Sequence, residues 1–165
     1  MTPASVFQYP SAGLVNRAEA MTNDSESVLA ICPDEDDRIQ LREIFRTLGT
    51  KLYESATWRE GAEVLRRWRP QVVICEANLP DADWRQVLYQ SALLGHSPRV
   101  IVISRLADES FWAEVLNLGG YDVLPKPLVG DEAGRVIQLA CKHWKTGSGR
   151  QGKRPESLSN RRTWK

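Results

Sequence analysis

The sequence predicts a three-layer α/β/α fold built on a doubly wound parallel sheet of five strands. Five short apolar segments alternate with five amphipathic segments between residues 27 and 144. Three of the apolar segments are almost continuously hydrophobic, which is typical of parallel strands covered on both faces. Because right-handed crossovers distribute the connecting helices over the sheet, we expect helices on both sides of it.

The strands are predicted at the short apolar segments, which are mostly rich in β-branched residues. They are residues 28–32, 51–54, 72–76, 100–104 and 121–124.

The first two helices show a spacing of i, i+3, i+4 and i+7 in their apolar residues. The first ends at Gly49, a stop signal, and the second starts with a capping box formed by Thr57 and Glu60 and ends at Pro70. Their apolar faces are Leu41, Ile44, Phe45 and Leu48, and Gly61, Val64, Leu65 and Trp68.

Three further helices are predicted from the same helical spacing of apolar residues. The third begins after Asp83, and the fourth begins after Asp108 and stops at Gly119-Gly120. The apolar stripe of the third helix is Trp84, Val87, Leu88 and Ser91. That of the fourth is Phe111, Trp112, Val115 and Leu118, and that of the fifth is Val136, Ile137, Ala140 and Trp144.

Charge divides the 165-residue chain into a central domain, residues 27–144, and two tails. The formal net charge is −2 for residues 1–26, −3 for the domain and +6 for residues 145–165. Both ends lack hydrophobic periodicity, so we expect a disordered amino-terminal tail and a basic disordered carboxy-terminal tail. The basic tail is too short to form a DNA-binding domain, although nucleic-acid binding through it stays open as an alternative.

Composition favours a cytoplasmic protein. The longest apolar runs are far shorter than the roughly 20 residues of a membrane span, and the amino terminus has no signal-peptide pattern. Three cysteines, an odd number, fit a reducing compartment better than a disulfide framework. Cys32 and Cys75 lie near the ends of two predicted strands, so a redox pair is an alternative to two buried thiols.

In such a sheet, ligands bind beyond the carboxyl ends of the strands. Those loops comprise residues 32–37, 76–84, 104–105 and 124–127. The first loop holds four acidic residues and no glycine, which disfavours nucleotide or flavin phosphate binding there. A flavodoxin-like redox protein is therefore only an alternative.

Several segments, taken in order, resemble the receiver domain of bacterial response regulators, the signalling modules of two-component phosphorelays. They are the strand at 28–31 with its acidic loop, residues 70–76, 79–83 and 100–104, and Leu-Pro-Lys-Pro at 124–127. The resemblance implies a flavodoxin-like sheet in the order 2-1-3-4-5 and a cis peptide between Lys126 and Pro127.

The resemblance carries over to the site only in part. Ser104 and Lys126 match the hydroxyl and the lysine that contact the phosphoryl group in the family. The phosphoacceptor position is Glu76 instead of aspartate, and the acid pair that binds Mg²⁺ falls on Cys32 and Pro33. Asp34 or Glu35 could compensate if the loop folds back.

Three other positions depart from the family pattern. Arg105 replaces a small residue after Ser104, Trp84 replaces a glycine, and both add bulk where a phosphodonor would approach. Val123 stands at the position of the aromatic switch residue, so no ring can swing there. Together these changes predict a degenerate, single-domain pseudo-receiver that is not an enzyme, has no cofactor and lacks a Mg²⁺ site.

We therefore expect a phosphorylation-independent protein that acts through protein–protein contacts. Its partner would be a histidine kinase or a downstream signalling protein, with homodimerisation a further option, and we expect neither a membrane nor a nucleic acid. Trp112 and Tyr121 are candidate residues of the partner face. Ser104, Lys126 and Arg105 would be the remnant of the phosphate pocket. Glu76 either replaces part of the charge of a phosphoryl group beside Lys126 and Arg105, or only satisfies Lys126. The alternative is an active receiver that uses Glu76, or else Asp81 or Asp83, as acceptor.

Overall fold

A computed structural model of the protein describes residues 25–147. The elements alternate throughout: β1 (Ser27–Ile31), α1 (Glu35–Leu48), β2 (Lys51–Ser55), α2 (Trp58–Trp68), β3 (Val72–Glu76), α3 (Trp84–Ala92), β4 (Arg99–Ser104), α4 (Glu109–Asn117), β5 (Asp122–Pro125) and α5 (Gly130–Gly147). Helix α5 continues three residues beyond the predicted domain boundary at residue 144. Of the predicted tails, the structure describes Ser25, Glu26 and residues 145–147, and the rest lies outside the described residues.

The five strands form one parallel sheet in the order β2-β1-β3-β4-β5, which confirms the predicted fold. The register brings the carboxyl ends of the strands together. Ile31 pairs with both Ser55 and Cys75, Glu76 pairs with Ile103, and Ser104 pairs with Pro125. Side chains that follow these strands therefore share one edge of the sheet, which we call the carboxyl edge.

The sheet separates two hydrophobic cores. One core contains Val28, Ala30 and Cys32 and is covered by α1 and α5. The other contains Leu29 and Ile31 and is covered by α2, α3 and α4. Both faces of the central strands are buried, and this is why their sequences are hydrophobic without alternation.

The helix boundaries follow the capping signals of the sequence. Thr57, Asp83 and Asp108 are the N-caps of α2, α3 and α4, and each side chain accepts a hydrogen bond from a backbone N–H of the first turn. Gly49 ends α1 at φ 66°, in the left-handed region that glycine tolerates. Within residues 25–147, we find no helix with the length and apolar character that crossing a bilayer requires.

Candidate functional site

Three charged side chains meet at the carboxyl edge. Glu76 is the last residue of β3, Lys126 directly follows β5, and Asp37 lies in the first turn of α1. The Lys126 ammonium Nζ lies 2.7 Å from Oδ2 of Asp37 and forms a second ion pair with the Glu76 carboxylate. The three side chains are only 9%, 9% and 15% exposed for Lys126, Asp37 and Glu76, so water screens these contacts weakly. We call these three residues the charge cluster.

Local helix chemistry places Asp37 in this cluster. Asp34 is the N-cap of α1, and its carboxylate accepts hydrogen bonds from the backbone N–H groups of Asp36 and Asp37 at 2.8 and 3.4 Å. The helix that starts there turns Asp37 towards the sheet, on the same buried face as Leu41 and Phe45. An acidic residue on that face needs a cation, and Lys126 provides it.

Two opposing effects act on Lys126. Its burial favours the neutral amine, but the hydrogen bonds that the ammonium donates to Asp37 and Glu76 outweigh that effect and raise the pKa of Lys126 above its ordinary value. The ammonium form is therefore firmly held at neutral pH. With two carboxylates and one ammonium, the cluster has a formal charge of −1.

The predicted compensating acids are not in the cluster. Asp34 is occupied as the helix cap, and the exposed Glu35 forms ion pairs with Arg38 and Arg42 on the surface. Asp37, which the sequence analysis did not single out, is the acid of this loop that contacts Lys126. The signal for Asp37 was available in the sequence, since it lies four residues before Leu41 on the apolar face of its helix.

The positions of the acid pair hold no carboxylate. Cys32 is fully buried, and this burial, followed by the nearby Asp37 carboxylate, raises the pKa of its thiol. The backbone carbonyls of Cys32 and Pro33 both accept hydrogen bonds from the Arg38 guanidinium, at 2.7 and 3.3 Å. An arginine thus satisfies the loop carbonyls at this position.

Ser104 and Arg105 lie beside the cluster without completing it. The backbone carbonyl of Ser104 accepts a hydrogen bond from the N–H of Lys126 at 3.0 Å. Its buried hydroxyl accepts another from the N–H of Leu106 at 3.1 Å, so it serves the loop after β4. Arg105 is exposed and forms none of the ion pairs found among residues 25–147.

Comparison with known proteins agrees with this geometry. Residues 29–138, more than half of the chain, match the response regulator receiver domain. The chain belongs to this family. The receiver is 23% identical over 108 residues to sporulation initiation phosphotransferase F of Bacillus subtilis, an alignment that covers 66% of this chain and 87% of that protein.

Solved structures share the fold. The receiver domain of a LuxO repressor protein from Vibrio parahaemolyticus aligns with a TM-score of 0.71 at 20% identity, over 78% of this chain and 99% of that one. The receiver domain of a sensor histidine kinase from Pseudomonas aeruginosa, solved with a magnesium ion coordinated in its active site cleft, aligns with a TM-score of 0.63 at 18% identity, over 72% and 98% of the two chains.

The family position of Trp84 led us to expect that its side chain obstructs the pocket of this receiver. In the structure it does not. The side chain is 3% exposed and packs in the core beneath α2, α3 and α4. Its ring contacts Phe111 edge-on, with the centroids 5.6 Å apart. The expectation was wrong because the first residue of α3 faces the sheet. Val123, at the switch position, is fully buried in the same core.

Trp112 and Tyr121 do not form one partner face. Tyr121 is buried in the core beneath α1 and α5, where its hydroxyl lies 2.7 Å from Nδ1 of His143. Trp112 packs against the opposite core, and its indole N–H donates to the carboxylate of Asp122 at 3.1 Å. Both rings therefore stabilise the fold, on opposite sides of the sheet.

Structural roles also explain three residues that the sequence analysis named as alternatives for the site: Asp81, Asp83 and Cys75. Asp83 caps α3, and the Asp81 carboxylate accepts hydrogen bonds from the N–H groups of Trp58 and Arg59 at the start of α2, at 2.8 and 2.9 Å. Cys75 is buried in the core opposite that of Cys32, so the two thiols face away from each other across the sheet. Both are free cysteines.

Proposed function

We propose that this receiver of a two-component system works without phosphorylation and signals through protein–protein contacts. The observation that supports this proposal is the double ion pair of Lys126. In the family, the corresponding lysine contacts the phosphoryl oxygens. Here Asp37 and Glu76 already neutralise its ammonium, so this lysine is not free to receive an incoming phosphoryl group.

The donor atoms of the cluster do not fit Mg²⁺. Mg²⁺ requires near-octahedral oxygen ligation, usually from carboxylates and water. The two carboxylates nearby are bound to an ammonium, which would also repel a second cation. Cys32 offers a buried thiol and Pro33 offers no side-chain donor, and among residues 25–147 no group of three or more His, Cys, Asp or Glu side chains is placed to hold a metal.

Glu76 is poorly placed as a nucleophile. Its carboxylate would have to leave the ion pair with Lys126 before an oxygen could attack phosphorus. The extra methylene of glutamate moves the carboxylate by about 1.5 Å relative to aspartate, and a misplacement of about 1 Å can reduce a rate by a factor of about 100. In our proposal Glu76 is instead a permanent anion beside Lys126, which holds the receiver in one state.

A protein partner suits the rim of this edge. Leu106, in the loop after β4, is 82% exposed, and Val129, just before α5, is 61% exposed. Exposed apolar side chains at the rim of a site offer area that a protein partner can bury. We propose that the partner is a signalling protein of the same two-component pathway, that the chain performs no catalysis, and that it needs no cofactor.

Incubation with acetyl phosphate and Mg²⁺, followed by intact mass spectrometry, tests the proposal. We expect no phosphoryl adduct on the wild-type chain or on Glu76→Asp, because the metal ligands are still missing in that variant. We expect an adduct only when Glu76→Asp is combined with Cys32→Asp and Pro33→Asp. A stoichiometric adduct on the wild type that disappears in Glu76→Gln would overturn the proposal, and so would one that disappears in Asp81→Asn or Asp83→Asn.

A further inference from the structure

Cationic side chains gather at the opposite edge of the sheet, where strands begin and helices end. We call this set the basic edge: Arg46, Lys51, Arg66, Arg67, Arg69, Arg99, Lys142 and Lys145. Among residues 25–147, carboxylates pair with two of its members, through Arg46–Glu43 and Lys145–Glu26. The basic edge therefore keeps a large excess of positive charge.

The densest part of the basic edge lies around the end of α2 and the start of β2. Lys51, Arg66, Arg67 and Arg69 are exposed there, and none of them takes part in an ion pair within residues 25–147. Positive charge that no carboxylate neutralises is available to an external anion.

Aromatic rings hold part of this charge in place. The rings of Tyr53 and Trp68 stack with centroids 5.9 Å apart. The Lys51 ammonium lies 5.0 Å from the Tyr53 centroid and 5.7 Å from that of Trp68, and the Arg67 guanidinium lies 5.2 Å from the Trp68 centroid. Cation–π contacts of this kind restrict the side chains before any ligand arrives and so lower the entropic cost of binding.

The spacing of the strand starts suits a row of phosphates. Backbone hydrogen bonds join Lys51 to Glu26, Gln71 to Ser27, and Arg99 to Gln71, so these residues form a line across the edge. Lys51 and Arg99 begin strands three positions apart in the sheet, a separation of about 14 Å at ~4.8 Å per strand. The line carries a cation at each end, Lys51 and Arg99, so it can contact a phosphate backbone at two separate points.

We propose that the basic edge binds the phosphate backbone of nucleic acid, a property beyond the receiver function and independent of it. Arginine predominates in the set, and its guanidinium matches phosphate oxygens in pairs. None of the large exposed apolar side chains of the described residues lies on α2 or β2, so a partner would meet mainly cationic groups there. Contacts to phosphate alone carry no sequence selectivity.

Fluorescence anisotropy with a short labelled DNA duplex of mixed sequence tests the proposal on the full-length chain. We expect the logarithm of the binding constant to fall linearly with the logarithm of the salt concentration, with a slope of about −0.9 per phosphate contact. In Arg66→Gln/Arg67→Gln, loss of two contacts reduces the size of the slope by about 1.8. The matched control Arg59→Gln/Arg135→Gln removes two exposed arginines outside the basic edge and leaves slope and affinity unchanged.

Circular dichroism of each variant verifies that the fold is retained. The proposal fails if the wild-type chain shows no salt-dependent retention of DNA, or if both arginine pairs reduce binding equally. It also fails if Arg66→Gln/Arg67→Gln abolishes self-association of the chain and leaves DNA binding unchanged, because the occupant of the basic edge would then be the acidic surface of a second copy.

Discussion

The Lys126 ammonium lies 2.7 Å from a carboxylate oxygen of Asp37, a residue 89 positions earlier in the chain. This contact ties the first turn of α1 to the loop after β5, directly across the edge where the family binds phosphate. Glu76 completes the neutralisation from β3. Lys126 is thus paired with two carboxylates of the same chain, and the energetic value of each contact can be measured.

Asp37→Asn should destabilise the fold by about 2 kcal/mol, the usual value of a hydrogen bond to a charged partner. Lys126 keeps Glu76 in this variant, so the loss stays moderate. Asp36→Asn is the matched control, because Asp36 is exposed and lies in the same first helical turn. Both variants lose the same helix-dipole interaction, so the difference in free energy of unfolding in urea isolates the ion pair. Equal losses in the two variants would contradict this prediction.

Lys126→Met should cost more, about 3–5 kcal/mol, because two largely buried carboxylates then lack a cation. Neutralising both acids in Asp37→Asn/Glu76→Gln/Lys126→Met should recover part of that loss. Lys142→Met, at an exposed lysine that forms none of the ion pairs found among residues 25–147, should change the free energy of unfolding by less than about 0.5 kcal/mol. Urea denaturation of the wild type and the three variants measures these free energies. A triple variant less stable than Lys126→Met would show that the unpaired carboxylates are not the cause of the destabilisation.

Local signals were sufficient for the fold but not for the site. Continuous hydrophobic segments and the caps at Thr57 and Asp83 depend on neighbours in the sequence, so the strands, helices and their order could be predicted. Asp37 was missed because its partner is distant in sequence and its role depends on which way α1 faces. For Trp84, the helical spacing with Val87 indicated burial correctly, whereas the family position suggested a blocked pocket.

Trp84→Ala should destabilise the receiver by about 3–5 kcal/mol, the usual cost of removing a large buried aromatic side chain. Trp84→Phe should cost clearly less, since a ring remains against Phe111. Arg105→Ala is the control, because both residues were expected to obstruct the pocket and only Arg105 is exposed; its effect should stay within about 0.5 kcal/mol. Thermal and urea unfolding measure the three variants. A stable Trp84→Ala protein would show that this side chain does not support the core.

The contact between Tyr121 and His143 links β5 to α5. Burial raises the pKa of Tyr121 to about 12, so its hydroxyl stays protonated and is available to donate to Nδ1 of His143, 2.7 Å away. Burial also lowers the pKa of His143 below its ordinary value of 6.5, and the nearby charges of Arg99 and Lys142 lower it further. The folded protein therefore favours the neutral imidazole, which can accept this hydrogen bond.

Stability should consequently fall as the solution becomes mildly acidic. A histidine whose pKa is lower in the folded state contributes stability above its unfolded pKa, and that contribution is lost as the pH falls from about 6.5 through the folded value. His143→Gln keeps a hydrogen-bond acceptor for Tyr121 but does not titrate, so its free energy of unfolding should depend less on pH between about 7.5 and 5.5. His96, the other histidine of the chain, has a pKa also lowered by burial, so His96→Gln/His143→Gln should show the flattest profile. Urea titrations across this range that give parallel profiles for His143→Gln and the wild type would refute the assignment, because the acid sensitivity would then arise from the carboxylates.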